Sequence, residues 1–134
     1  APEVLQPVRV RTHEHPGFPT DAHPPTMVLL TQAHGESIMI ESIFDGRLAY
    51  TEELCRMGAE ITCISPHRAR VVGKRALRAA DIETPDIRAG LAFILAGIVA
   101  EGTTRVGNAH LVDRGYEKIE ERLRAIGVAI RREE

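Results

Sequence analysis

The sequence predicts an α/β (α+β) fold in which one strand and helix unit occurs twice, and two observations predict it. Glycines and arginines recur in the same order along the two halves: Gly35 and Gly102 lie 67 residues apart, as do Arg47 and Arg114. Stretches with helical periodicity also alternate with short stretches in which apolar residues fall at every second position. A fixed internal period is typical of a duplicated supersecondary unit.

The two units are expected to span about residues 8–75 and about residues 76–134. A chain of 134 residues can bury one hydrophobic core but not two independent ones, so we expect residues 1–134 to belong to one domain. The formal net charge of −2 provides no overall attraction to nucleic acid or to an anionic membrane. The longest apolar stretch, residues 90–100, is about half as long as a bilayer span, and we find no leader pattern. These features favour a cytoplasmic protein that binds neither nucleic acid nor membranes.

The first unit begins with a short strand over residues 8–10. A loop over residues 15–19 follows, where two prolines and a glycine exclude regular structure. Asp21 is a candidate N-cap of the next helix, whose first turn holds two prolines at the positions where proline costs least. Gly35 is expected to close this helix.

Three strands complete the first unit. Residues 37–42 alternate in polarity, with Ile38 and Ile40 on one face, which predicts a half-buried strand. Residues 60–64 and 68–72 form two further strands, joined by a turn that contains a proline.

A second helix is predicted between these strands, over residues 48–57. It places Tyr50, Leu54 and Met57 on one face. Gly58 is expected to end it.

The second unit repeats this pattern. It contains a helix over residues 86–100 that stops at Gly102, a strand over 103–107, a helix over 113–125 and a closing segment at 128–130. The last helix carries an apolar stripe made of Tyr116, Ile119, Leu123 and Ile126. Its Glu, Lys and Arg residues are expected to face water.

Spacing alone offers three candidate sites and no strong motif. Asp21 and Asp86 each stand at a loop-to-helix junction, where an aspartate either caps the helix or faces a ligand. Arg88 is a candidate ion-pair partner of Asp86. Arg114 stands at the start of the predicted last helix, where a guanidinium and free N–H groups suit a phosphate or a carboxylate.

Cysteine and histidine usage indicates neither a disulfide framework nor a metal site. Cys55 and Cys63 are the two cysteines of the chain, and both are expected to be small core residues. The six histidines form no helix-spaced metal pair. No cofactor is expected.

Five separated motifs resemble one enzyme family. They are HPGFPTD at 15–21, IFDGR at 43–47, RMGA at 56–59, DIRA at 86–89 and DRGYE at 113–117. In this order and spacing they resemble the C-terminal part of the UDP-N-acetylglucosamine 1-carboxyvinyltransferases, a family of enolpyruvyl transferases. The resemblance covers about residues 13–131, which is nearly the whole chain.

The resemblance implies a fold and an activity. The implied fold is an inside-out α/β barrel of repeated βαβαββ units, which forms one domain of a two-domain enzyme. The implied reaction transfers the enolpyruvyl group of phosphoenolpyruvate to the 3′-hydroxyl of UDP-N-acetylglucosamine and releases phosphate by addition and elimination. This is the first committed step of peptidoglycan synthesis, which serves cell wall biogenesis, cell shape and cell division in the bacterial cytoplasm.

The resemblance also implies roles for individual residues. Asp21 matches the aspartate at the sugar 3′-hydroxyl, suited to accept its proton, and Thr20 beside it is expected to bind substrate. Arg114 matches the arginine that holds phosphoenolpyruvate, so Asp21 and Arg114 are the implied catalytic residues. The other implied substrate-binding residues are Ile43, at the nucleotide sugar, Arg47 and Arg88, in the cleft, and Asp86, which would orient Arg88 or Arg114.

Two parts of the family pattern are missing from this chain: the Lys-Asn pair, and the mobile loop that protonates the methylene carbon. We therefore expect a fragment that carries one wall of the site, is inactive alone and partners the missing remainder of the enzyme. Apolar surface exposed by the truncation is expected to favour self-association. Two local departures occur at 23–25, where His-Pro-Pro replaces a Gln-rich helix start, and at 45–46, where Asp-Gly replaces Glu-Asn.

Two alternatives compete with this interpretation. One is the related 3-phosphoshikimate 1-carboxyvinyltransferase, whose Lys-Glu-Ser-Asp-Arg stretch is absent here; residues 111–116 occupy the comparable place. The other is a non-catalytic module that binds a nucleotide sugar or associates with another domain.

Overall fold

The first half of the chain folds around a four-stranded sheet in the computed structural model, which describes residues 4–43 and 46–133. The strands lie in the order β1-β2-β4-β3. Their bounds are β1 Arg9–Arg11, β2 Gly35–Ile40, β3 Glu60–Ser65 and β4 Arg68–Gly73. β1 and β2 run parallel, whereas β4 runs antiparallel to both of its neighbours. The four strands predicted in this half are therefore confirmed, each within about two residues of its expected bounds.

The first helix, α1, spans His23–Thr31 and connects the parallel strands β1 and β2. Asp21, the candidate N-cap in the sequence, does not cap it. The N-cap is Ala22 and makes no side-chain hydrogen bond. Asp21 lies one residue earlier, inside a 3-10 turn over Thr20–Ala22 that separates its carboxylate from the first helical N–H groups. Gly35 does not close the helix either, because it begins β2 with a φ of 129°.

Strand β2 is buried more deeply than its pattern predicts. Met39 is fully buried and Ser37 is 1% exposed, so the face that carries these residues points into the core. Ile38 and Ile40 lie on the opposite face; Ile38 is half-buried and Ile40 is buried. Glu41, the next residue, is also buried, so both faces of the chain are covered toward the end of β2.

The second helix, α2, spans Thr51–Arg56 and has the predicted apolar face. Tyr50 just before it, Leu54 within it and Met57 just after it are all buried. Gly58 ends the helix with a φ of 111°. A Cβ there would lie 2.9 Å from the carbonyl oxygen of residue 76, so both the turn and the close approach require glycine.

The second half contains a parallel pair of strands, β5 at Asp81–Glu83 and β6 at Arg105–Gly107. Helix α3, Ile87–Val99, connects the two strands, and the sequence predicts this helix. Asp86 caps this helix, since its side chain accepts hydrogen bonds from two backbone N–H groups in the first turn. Strand β5 was not predicted, because only one of its three residues is apolar.

The single last helix predicted for this half is wrong. Two short helices take its place: α4 at His110–Asp113 and α5 at Ile119–Ala125. Lys118, with a φ of 50°, breaks the helical path between them. Tyr116, Ile119 and Leu123 are half-buried and Ile126 is 77% exposed, so the described residues cover the expected stripe only in part. Residues 128–130 form no strand.

The two cysteines are exposed and free, which contradicts the expectation that they are core residues. Cys55 lies in α2, whose buried position is occupied by Leu54. Cys63 lies on β3, which forms an edge of the sheet and has little cover on its outer part.

The core lies between the sheet and the packed helices α1 and α3. Its largest fully buried side chains include Phe93, Met27, Met39 and Leu54. Leu29, Ile98 and Val99 on the same two helices are 53%, 39% and 45% exposed. Among residues 4–43 and 46–133, no helix has the length and apolar character needed to cross a bilayer.

Candidate active site

A cleft opens where the two halves of the chain meet. It lies between the 3-10 turn and α1 on one side and the start of α3 on the other, with residues 46–50 at its base. The polar side chains that line it are those of Thr20, His23, Arg47, Tyr50, Asp86 and Arg88. Its volume of about 140 Å³ is well below the roughly 300–1,000 Å³ of pockets that enclose drug-sized ligands. These residues therefore line a cleft wall that does not enclose a ligand of that size.

The Arg88 guanidinium spans the mouth of this cleft. Its Nη1 atom lies 3.3 Å from Asp21 Oδ1, and its Nε atom lies 4.0 Å from Asp86 Oδ1. The Asp21 side chain is 72% exposed, so this pair is largely screened by water and contributes little to the free energy of folding. The contact nevertheless brings a carboxylate of the first half beside a guanidinium of the second half.

Asp86 has two functions at once. Its Oδ1 atom accepts hydrogen bonds from the backbone N–H groups of Arg88, at 2.9 Å, and Ala89, at 3.0 Å. A capping carboxylate is fixed by these bonds at the positive end of a helix. Its second function is to hold a negative charge near the guanidinium of Arg88.

A buried carboxylate, Glu41, lies behind the cleft and is fully enclosed. It accepts hydrogen bonds from at least four donors: Thr12 Oγ1 at 2.9 Å, Thr20 Oγ1 at 2.7 Å, His23 Nδ1 at 3.0 Å and the Ile43 backbone N–H at 3.0 Å. A buried charge is stable only when it is paired or fully hydrogen-bonded. The Glu41 carboxylate is therefore a buried acceptor shared by several segments of the chain.

His23 connects this carboxylate to the base of the cleft. Its Nε2 atom lies 2.8 Å from the Tyr50 hydroxyl, and the two rings meet edge to face with centroids 5.5 Å apart. Burial lowers the pKa of His23 and outweighs the opposite effect of Glu41, so the neutral ring is favoured. A neutral ring that donates from Nδ1 to Glu41 must accept the Tyr50 proton at Nε2. Burial also raises the pKa of Tyr50, which keeps this proton on the hydroxyl.

Glu41 is ionised for a different reason. Burial alone would raise its pKa, but the hydrogen bonds from Thr20, the Ile43 N–H, His23 and Thr12 together outweigh burial and hold the pKa below its ordinary value. Each bond favours the charged form, because a carboxylate accepts more strongly than a carboxylic acid.

These shifts predict how stability depends on pH. The unfolded chain protonates a histidine near pH 6.5, whereas folded His23 resists protonation. Below that pH the unfolded state therefore binds more protons, and the free energy of unfolding falls as the pH falls. In His23→Gln we expect a smaller loss between about pH 7.5 and about pH 5.5 than in the wild type, measured by urea unfolding.

The exposed His110 provides the matched control for this prediction. His110→Gln removes a surface histidine and should keep the pH dependence of the wild type. An equal pH dependence in His23→Gln and the wild type would contradict the assignment of a buried neutral ring at residue 23.

The structure brings together five of the seven substrate-binding residues expected from the sequence. Thr20, Arg47, Asp86 and Arg88 line the cleft, and Asp21 contacts Arg88 at its mouth. A sixth, Ile43, is half-buried, and its N–H donates to the buried Glu41 behind this wall.

Arg114 is not among the residues that line the cleft. It is exposed and lies at the C-terminal end of α4, so the expectation that it stands at a helix start is wrong. Gly90 in α3 lets α4 approach closely, since a Cβ there would lie 2.5 Å from Val112. The position of Arg114 relative to the cleft is thus set by the packing of α4 on α3.

A surface ion-pair cluster fixes the neighbourhood of Arg114. Arg132 contacts Asp113 at 2.6 Å and Glu120 at 3.0 Å, and thereby ties the last residues of the chain to both short helices. The hydrogen bond from Arg132 lowers the pKa of Glu120 to about 2. The same contacts raise the pKa of Arg132.

Glu41, His23 and Tyr50 were not predicted as a connected group. A signal existed for Glu41, because an acidic residue directly after the apolar residues 38–40 is buried if the strand is central. Of the two departures from the family pattern, His23 and Gly46 line the cleft, whereas Asp45 lies outside the described residues. No cluster of three potential metal ligands occurs among residues 4–43 and 46–133.

Comparison with known proteins gives a consistent family. The family model for EPSP synthase (3-phosphoshikimate 1-carboxyvinyltransferase) matches residues 2–123. The UDP-N-acetylglucosamine 1-carboxyvinyltransferase of Halothermothrix orenii is 49% identical over 97% of this chain, and that of Myxococcus xanthus is 44% identical over 99%. The chain spans only 31% of the length of each of these relatives.

Solved structures agree with the sequence comparison. The enolpyruvyl transferase NikO from Streptomyces tendae superposes with a TM-score of 0.86 at 27% identity, over 96% of this chain and 29% of that one. An EPSP synthase from Acinetobacter baumannii superposes with a TM-score of 0.70 over 99% of this chain and 30% of that one. Its identity is 20%, so it supports the fold alone.

Proposed function

The chain belongs to the EPSP synthase family of enolpyruvyl transferases, and from this premise we propose that it is part of a UDP-N-acetylglucosamine 1-carboxyvinyltransferase. The complete enzyme would transfer the enolpyruvyl group of phosphoenolpyruvate to the 3′-hydroxyl of UDP-N-acetylglucosamine and release phosphate. The observation that carries the proposal is the 49% identity to an enzyme of that name over 97% of this chain. Relatives of that name come from bacteria, and the proposed enzyme works in the bacterial cytoplasm.

Asp21 is the proposed general base. Its carboxylate is exposed at the mouth of the cleft, where an incoming sugar hydroxyl can reach it. It accepts the proton of the 3′-hydroxyl as that oxygen bonds to C2 of phosphoenolpyruvate, while the C2=C3 double bond opens and C3 takes a proton from a group in the remainder of the enzyme. The Arg88 guanidinium, 3.3 Å away, keeps the carboxylate beside the second half of the chain.

Arginines are the proposed anion-binding groups of this wall. Arg47 and Arg88 line the cleft, and Arg114 lies at the end of α4, the helix that packs on α3. A guanidinium stays charged and binds a phosphate or carboxylate with two parallel hydrogen bonds, which favours it over lysine for this role. In the proposal, Arg114 holds phosphoenolpyruvate, Arg47 and Arg88 line the anion path, and Ile43 contacts the nucleotide sugar with Thr20 nearby.

The chain is proposed to form part of one domain of a two-domain enzyme. Residues 8–75 and 76–134 are the two repeat units of an inside-out α/β barrel. The second wall of the cleft would come from the remainder of the enzyme, and the exposed apolar side chains of α1 and α3 would pack against it or against another copy of the chain.

One experiment tests the function and separates the alternatives. The full-length protein should release phosphate from phosphoenolpyruvate when UDP-N-acetylglucosamine is present, and the enolpyruvyl product should be seen by mass spectrometry. The 134-residue chain alone should release none, because it provides one wall of the site.

Other outcomes favour other functions. The description of the matching family model names the shikimate enzyme, so shikimate 3-phosphate is the second acceptor to test. Phosphate release with that acceptor alone would replace the proposed substrate. Binding of the nucleotide sugar by the full-length protein without turnover would establish a non-catalytic module. Turnover by the 134-residue chain would refute the proposal that it is one part of the site.

A further inference from the structure

We propose that Glu41 is a positioning residue that holds two parts of the cleft wall, the turn of Thr20 and Asp21 and the backbone at Ile43, in a fixed relation to each other. The catalytic consequence of this inference rests on the proposed function. The positioning itself does not, because it can be measured without substrate.

Each oxygen of the Glu41 carboxylate accepts two of these hydrogen bonds. Oε1 accepts from Thr20 Oγ1 and His23 Nδ1, which belong to the 3-10 turn and the start of α1. Oε2 accepts from Thr12 Oγ1, just after β1, and from the Ile43 N–H, just after β2. Three segments that are separated along the chain thus meet at one side chain.

Burial makes this meeting point rigid. Glu41 is fully enclosed, so hydrogen bonds from these segments replace the water that its ionised carboxylate would otherwise bind. If a segment moved away, the carboxylate would lose one of these bonds. Hydrogen bonds to a charged acceptor are also shorter and stronger than those between neutral groups, as the 2.7 Å contact with Thr20 illustrates. Displacing the turn is therefore much more costly than displacing an ordinary surface loop.

Asp21 depends on this anchor, because its own side chain has little support. It is 72% exposed, and its contact with Arg88 is a surface ion pair 3.3 Å long. The residue before it, Thr20, is held at Glu41 from inside the protein. The location of the Asp21 carboxylate is thus set mainly by the backbone of its turn.

The network also reaches the base of the cleft. The His23 ring receives a hydrogen bond from Tyr50, which is buried and follows Arg47 by three residues. Thr12 adds a further link, because it donates to Glu41 and accepts from the Ser42 N–H at 2.9 Å. The Glu41 carboxylate is therefore hydrogen-bonded to the turn that bears Asp21 and to the backbone at Ile43. Through His23 it is also linked to the base of the cleft.

The test is Glu41→Gln in the full-length protein. Glutamine keeps the size of the side chain but removes its charge and places an N–H₂ group against donors, so at least one hydrogen bond is lost. We expect kcat to fall about 10²-fold, as misplacement of a catalytic group by about 1 Å can produce. The KM for phosphoenolpyruvate should stay within about twofold, since the arginines proposed to bind it are not among the four Glu41 donors named above.

A second readout does not depend on activity. Amide hydrogen exchange at residues 20–23 and at Ile43 should become at least about tenfold faster in Glu41→Gln, whereas exchange in the distant pair β5 and β6 should not change. The matched control is Glu36→Gln, which removes an exposed carboxylate from β2, the strand that ends just before Glu41. It should leave both kcat and exchange as in the wild type.

The outcomes separate this inference from the proposed function. Unchanged exchange at residues 20–23 and Ile43 would overturn the inference, as would exchange that rises equally throughout the protein. Faster exchange at residues 20–23 and Ile43 with an unchanged kcat would overturn the catalytic consequence of the inference. If the wild type transfers no enolpyruvyl group to either acceptor, the proposed function fails, and the exchange result alone decides the inference.

A second variant covers the case in which Glu41→Gln does not fold. Thr20→Val removes one donor and keeps the shape of the side chain. It should accelerate exchange at residues 20–23 and lower kcat while leaving exchange at Ile43 unchanged. Wild-type exchange at residues 20–23 in Thr20→Val would overturn the inference.

Discussion

Asp21→Ala in the full-length enzyme is expected to lower kcat by about 10²–10⁴, the usual contribution of a general base. The free energy of unfolding should change by less than about 1 kcal/mol, because Asp21 caps no helix and its ion pair with Arg88 lies at the surface. Steady-state phosphate release and urea unfolding measure the two effects. A large loss of activity in a protein of normal stability is the expected combination.

Asp86→Ala is the matched control, because it removes a second carboxylate beside the same arginine. Asp86 caps α3 through two backbone N–H groups, so its loss should lower the free energy of unfolding by about 0.5–2 kcal/mol. If Asp21→Ala kept its activity within about tenfold, the general-base role would be wrong and Asp21 would act only as a partner of Arg88.

Arg114→Ala is expected to lower kcat/KM for phosphoenolpyruvate by about 10²–10³, a magnitude typical of a lost charge-stabilising donor. Arg114→Lys should recover little of this, since lysine cannot form the two parallel hydrogen bonds of a guanidinium. Stability should not change, because Arg114 is exposed at the end of α4. Initial rates at varied phosphoenolpyruvate and saturating nucleotide sugar provide the measurement.

Arg122→Ala is a suitable control, since it removes another exposed arginine from the nearby helix α5. It should leave kcat/KM unchanged. Arg88→Ala distinguishes two models of the anion site. A loss confined to Arg88→Ala, with full activity in Arg114→Ala, would assign phosphoenolpyruvate to the cleft arginine and remove Arg114 from the site.

Much of the fold could be predicted from local patterns. The face of Tyr50, Leu54 and Met57 has helical spacing and is buried, and the strands before and after it lie within about two residues of their expected bounds. The last helix could not be predicted correctly, because its pattern continues through Lys118, whose left-handed conformation is not visible in hydrophobic periodicity. The three residues of β5 carry too little pattern to be recognised at all.

The candidate site could be predicted only through its resemblance to a family. Spacing alone suggested that both aspartates were caps; Asp86 is one and Asp21 is not. The difference arises from one extra turn of 3-10 helix, which a short sequence does not reveal. The buried Glu41 could not be placed either, because its donors come from segments that are distant in sequence and meet only in the folded protein.

The contact between Asp21 and Arg88 joins residues 67 positions apart, one from each half of the chain. Neither half on its own contains both charges at this cleft. Two separate polypeptides could form this contact only by associating, to an extent set by their concentrations. Because both halves lie on one chain, the pairing is intramolecular and does not depend on protein concentration.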